Sequence, residues 1–172
     1  MKSCDAMKVV HAILINAPSR NVWESLSSPE VWPSIWGRTG KCQQVSPEGG
    51  NVGSLYDMEL QCGSRAAFIR CEIVGLHPGR MIAVRWVWPT MRHSSLGVTY
   101  HFTYELKDEG YGTTVTERFE MTSFGVPLDC VVWLFAWMIY PFHWLARNTC
   151  LQRLKGIVEG TLVTTRIESK RS

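Results

Sequence analysis

Two periodicities divide the chain. From Cys42 to Thr122 apolar and polar residues alternate, and turn-forming runs recur at Pro47–Gly53, Gly63-Ser64, His77–Gly79, Pro89–Gly97 and Asp108–Gly112. This pattern predicts six strands near Lys41–Ser46, Ser54–Gln61, Ala66–Gly75, Arg80–Trp88, Val98–Lys107 and Thr113–Thr122, joined by loops short enough for antiparallel neighbours. Ahead of them Val9–Asn16 is rich in β-formers. Pro18 then suits the first turn of a helix with Val22, Trp23 and Leu26 on one stripe. Pro29 opens a second short helix through Val31, Trp32 and Ile35, ended near Gly37. Past the alternating region Pro127 and Asp129 suit a helix start. Leu151, Leu154, Val158 and Leu162 recur at three- and four-residue spacing opposite Arg153, Lys155 and Glu159. The expected order is β-α-α-β6-α, an α+β chain with a long C-terminal helix.

Residues 130–146 are apolar nearly all round, with Pro141 and His143 inside the stretch. A kinked helix gripped by the sheet is the reading adopted. A membrane-surface contact or a homodimer through 130–146 is the alternative, because a helix apolar on every side must hide both faces.

Length and composition refine the picture. The 172 residues fit one domain, 1–172, with 166–172 read as a frayed tail. Hydrophobic residues at 45% and charged residues at 19% exclude a disordered chain, and 8 Trp exceed what packing alone requires. A net charge of +3, with its basic cluster Lys170-Arg171 in the tail, argues against a nucleic-acid partner. Cys4, Cys42, Cys62, Cys71, Cys130 and Cys150 form no Cys-x-x-Cys pair and no zinc-like spacing, so free thiols in a cytoplasmic protein without a metal are expected. Gly49–Gly53 is flanked by strands, which makes it a turn and not a phosphate cradle, and no cofactor is implied.

Three motifs carry a resemblance. Ile13-Leu14-Ile15-Asn16-Ala17-Pro18 leads to Val22-Trp23, and Pro29-Glu30-Val31-Trp32-Pro33 to Trp36. Gly112-Thr113-Thr114-Val115-Thr116-Glu117-Arg118-Phe119 follows before the closing apolar helix. In this order they resemble the START-like superfamily of polyketide cyclases, pollen-allergen proteins and lipid-transfer domains. The resemblance covers almost the whole chain. It implies a helix-grip fold, a seven-stranded curved antiparallel sheet around a long C-terminal helix with an internal apolar cavity. It also implies that the first and last strands are neighbours. It does not fix an activity, because one scaffold serves many.

Inward positions of a strand share one parity, so a polar residue on an apolar parity is informative. His11 shares its face with Val9, Ile13 and Ile15, and Glu117 with Val115, Phe119 and Met121. On adjacent strands the two would meet as an acid/base dyad, or as a structural polar pair. Tyr56, Tyr100 and Tyr104 are candidate hydroxyl donors, with Tyr100 assigned to catalysis. Tyr56, Met58, Trp86, Trp88, Phe102, Tyr104, Phe119 and, on the closing helix, Trp137 are candidate substrate contacts. Asp57, Glu59, Arg70, Glu72, Arg85 and Arg118 fall on the opposite parity and read as a solvated outer face, while His93 lies in a loop that could close over the cavity. The function expected is a cyclase of secondary metabolism acting on an apolar polyketide-type substrate. The alternative is a non-catalytic carrier or sensor of a lipid, sterol or other hydrophobic metabolite.

Overall fold

A computed structural model describes residues 7–36, 40–62, 65–87, 97–124 and 150–160. The expectations for Gly37, Trp88, the 89–96 loop with His93, the apolar stretch 130–146 with Trp137, Leu162 and the tail lie outside these residues.

Seven strands form one antiparallel sheet: β1 (Met7–Ile15), β2 (Gly40–Gln44), β3 (Leu55–Cys62), β4 (Arg65–His77), β5 (Met81–Val87), β6 (Gly97–Asp108) and β7 (Thr113–Phe124). Their order across the sheet is β1-β7-β6-β5-β4-β3-β2, a meander closed by the pairing of the first strand with the last. The alternating pattern located all six later strands, with ends displaced by a few residues. At the β4–β5 hairpin Ile73 pairs with Val84 but Gly75 with Ala83, so the register slips by one residue. Such a bulge bends a strand and increases its local twist, which curves the sheet.

Helix α1 (Ser19–Ser27) buries Val22 and Leu26. Pro18 does not enter it: with φ −57° and ψ 146° it is the extended residue before the helix, and its carbonyl accepts from Asn21 and Val22 N–H. Ring geometry makes it a starting residue in either position. The second helical piece is a 3₁₀ turn, Pro29–Val31, running into α2 (Trp32–Ile35). The buried Trp32 indole donates to the Leu26 carbonyl at 2.8 Å, satisfying one of the acceptors that the end of α1 leaves open. A last helix, α3 (150–158), buries Leu151 and Leu154 in the core. Lys155 Nζ donates to Leu14 O at 3.1 Å and Asn16 N–H to Glu159 Oε1 at 2.7 Å, so α3 is pinned to the end of β1.

The same corner meets the β6–β7 turn. Thr113, fully buried, donates its hydroxyl to Ala17 O at 2.8 Å, and a Cβ added at Gly112 would stand 2.6 Å from Ile15 O. Only glycine lets the turn approach so closely. The core lies between the concave face and these helices, built from Ile15, Met58, Ile69, Ile73, Ile82, Val84, Phe102, Val115 and Phe119 with Val22, Leu26, Trp32 and Ile35.

Candidate functional site

Three inward polar residues form one row across three neighbouring strands. His11 pairs with Glu117 between β1 and β7, and Glu117 with Tyr104 between β7 and β6. Opposed residues of an antiparallel pair hold their Cβ atoms about 5 Å apart, within reach for side chains of this length. Glu117 is 1% exposed and accepts the Tyr104 hydroxyl hydrogen at 2.9 Å, and the His11 Nε2 atom is buried. A buried carboxylate needs such partners to remain in place.

Of the three tyrosines, Tyr104 therefore stands beside the carboxylate, whereas Tyr100, the one expected to be catalytic, lies elsewhere on the concave face. Tyr100 pairs with Met121, four residues along β7 from Glu117, and stacks on Phe119 with ring centres 5.8 Å apart. Burial pushes its phenol above the ordinary range, so it stays protonated. The Tyr56 hydroxyl lies at the far edge of the sheet, where its oxygen accepts the Gly50 N–H at 2.8 Å and fastens the β2–β3 loop.

Aromatic rings continue the row. Trp36 packs edge-on against Trp86 at 4.1 Å, Trp86 lies 4.4 Å from Phe102, and Phe102 lies 5.3 Å from Phe119. Trp32 joins the series between Trp36 at 6.0 Å and Tyr56 at 5.6 Å. Beneath α1 and α2, Trp32 and Trp36 of this series border an apolar hollow of about 10 Å³, the room of one water, lined also by Leu26, Ile35, Ile82, Val84 and Tyr104. Tyr104 thus joins the polar row to the hollow. Met58, Trp86, Phe102, Tyr104 and Phe119 face the interior as parity predicts, with Trp86 partly buried and the others buried. Trp36 was visible only as part of a motif, because a four-residue helix has no period from which to read its inward side.

Two thiols share the concave face. Burial raises Cys71 strongly and, followed by the nearby Glu30 and Asp57 charges, pushes Cys42 up to about 12, so both resist ionisation. Among the described residues no three His, Cys, Asp or Glu side chains gather as a metal site.

The convex face has the opposite character. Arg70 grips Asp57 through two hydrogen bonds of 2.7 and 2.8 Å, Arg85 meets Glu72, Arg118 lies 3.0 Å from Glu105, and Lys8 lies 2.9 Å from Glu120.

A curved antiparallel sheet closed over helices, with a ring-lined interior, defines a helix-grip protein. Residues 6–159 match the model of the polyketide cyclase/dehydrase and lipid transport family, and the chain belongs to that family. No curated protein matches its sequence. Among solved structures it is similar to the Zhui aromatase/cyclase from Streptomyces sp. R1128, at 14% identity and TM-score 0.66, covering 90% of this chain and 94% of that one. It is also similar to the di-domain aromatase/cyclase StfQ of the steffimycin pathway, at 12% identity and TM-score 0.68, covering 91% of this chain and 51% of that one. A third is major latex-like protein 151 from Panax ginseng, at 14% identity and TM-score 0.60, covering 88% and 97%. At these identities the likeness is one of fold.

Proposed function

We propose that the protein is a cyclase acting on an apolar, oxygen-bearing chain held between the concave face and the helices. The row His11–Glu117–Tyr104, a buried carboxylate held by a tyrosine that itself lines the hollow, is the observation that carries this reading. The chemistry needs a base beside the substrate. In the proposed step the His11 imidazole removes a proton from a methylene between two carbonyls. The carbanion forms a carbon–carbon bond to a third carbonyl, whose oxygen takes the proton back from the imidazolium. Glu117 stabilises the transient imidazolium, and Tyr104, its hydrogen directed at the carboxylate, holds Glu117 in position. The aromatic floor folds the chain so that the reacting carbons approach. Two similar structures are of aromatase/cyclases, which supports the reading by fold. A reducing compartment accords with the free thiols Cys42 and Cys71.

The test is turnover of a linear poly-β-keto thioester. His11→Ala and Glu117→Gln should each lower its rate by about 10²-fold or more while leaving binding of the chain within about threefold. Unchanged rates in both variants would remove the dyad from the mechanism.

The second reading is a carrier of a hydrophobic metabolite. It is favoured by a hollow lined mainly by aliphatic and aromatic side chains and by the lipid-transport branch of the family. Native mass spectrometry of freshly purified protein separates the two. A retained acyl chain or sterol with no turnover of the thioester would favour the carrier.

A further inference from the structure

Three tryptophans crowd the hollow and its rim, and their indole hydrogens have different fates. Trp32 donates to Leu26 O. The Nε1 atoms of Trp36 and Trp86 are buried and have no acceptor among the described residues. Folded chains seldom bury a donor without an acceptor, so two such donors side by side call for an explanation.

The surroundings narrow that use. Trp86 lies on one rung of the sheet with Cys71, Tyr100 and Met121. Their polar hydrogens are the Cys71 thiol and the Tyr100 phenol, both kept protonated by burial. The inward carboxylate, Glu117, lies four residues along β7 from the Met121 end of this rung and is engaged with Tyr104. The Trp86 end of the concave face is therefore rich in donors and walled by rings, so whatever fills it should bring acceptors on a flat apolar frame.

We propose that Trp36 and Trp86 form a subsite that hydrogen-bonds a ligand oxygen, a carbonyl or hydroxyl carried on a planar apolar ring system. The proposal rests on the reading that the concave face holds an apolar, oxygen-bearing chain and its cyclised product, and adds which atoms select the product's oxygen. Because the hollow holds about one water, a ring enters by parting Trp36 from Trp86, and this frees both indole N–H groups to meet the incoming oxygen.

The test compares 9-fluorenone with fluorene, which share a skeleton and differ by one carbonyl. Calorimetry gives affinities, and the indole ¹H–¹⁵N resonances report the donors directly without any substitution. The wild-type protein should bind fluorenone about tenfold more tightly than fluorene, the size of one well-made hydrogen bond, and two indole resonances should move with fluorenone alone. In the Trp36→Phe/Trp86→Phe variant the preference should fall to about twofold or less while fluorene still binds, because the rings remain and the donors are gone. Equal wild-type affinities, unmoved indole resonances, or a preference that survives the double substitution would overturn the subsite while leaving the ring-binding reading intact. If neither compound binds, the subsite fails, while turnover of the linear thioester decides the cyclase reading separately.

Discussion

Adjacent residues on β7 meet opposite conditions on the two faces of the sheet. Glu117 is enclosed, held by Tyr104 and paired in register with His11, whereas Arg118, the next residue, is half exposed and bridges to Glu105. The two faces carry the same kinds of charged group, yet a carboxylate inside must be satisfied by the protein and one outside is satisfied by water. The difference is one of setting: the enclosed carboxylate depends on its protein partners, whereas the ion pairs of the convex face stand in water, where each contributes little.

Substitutions on the two faces should therefore diverge, and the largest gap is in the core. Phe102→Ala removes the ring between Trp86 and Phe119 and should cost about 3–5 kcal/mol in urea unfolding. A loss below about 1 kcal/mol would mean the aromatic floor is loosely packed. Next, Glu117→Ala leaves the Tyr104 hydroxyl without its acceptor and should cost about 1–3 kcal/mol, against about 0.5 kcal/mol or less for Glu105→Ala outside. Equal losses from the two would break the comparison between the faces.

Thiol reactivity offers a sharper, non-thermodynamic contrast. With Cys42 held near 12 and Cys71 higher still, a thiol reagent at pH 8 should leave both unmodified until denaturant is added. Rapid labelling of either in the native protein would place it at a more open position than the concave face provides.

The smallest effect is electrostatic. Hydrogen bonds from Arg70 hold the Asp57 carboxyl below the ordinary carboxylate range. A carboxyl depressed in the folded state adds stability above its unfolded pKa of about 4 and loses it as pH falls through the folded value. Because both partners are nearly half exposed, Asp57→Asn should cost well under about 1 kcal/mol at pH 7, and the gap from wild type should close below about pH 4. A gap that persists at pH 2 would show that the residue acts through packing instead of charge.

Much of this contrast is legible in the sequence, because parity is a local property. It assigns His11, Glu117, Met58 and Phe102 to one face and Asp57, Arg70 and Arg118 to the other. Register is harder. Choosing between Tyr100 and Tyr104 means counting back from the Asp108–Gly112 turn, and a strand ended at Lys107 instead of Asp108 places Thr103 opposite Glu117. The structure pairs Asp108 with Thr113, which brings Tyr104 opposite Glu117 and sends Tyr100 to Met121. Trp36 illustrates a different limit. Its inward side is set by Pro29, by the Trp32 bond to Leu26 and by the partners it meets across the sheet, none of which a four-residue helix encodes in its own spacing.

The pairing of β1 with β7 also fixes when the polar row can exist. Met7 opposes Met121 and Ile15 opposes Thr113, so every rung joins residues more than half the chain apart. During synthesis at roughly 5–20 residues per second, the first strand waits about 5–20 s for its partner. His11 meets Glu117 only after every intervening hairpin has had time to form. A nascent chain that has yet to reach β7 can form hairpins in the middle of the meander, but it holds one half of its polar row on an unpaired strand.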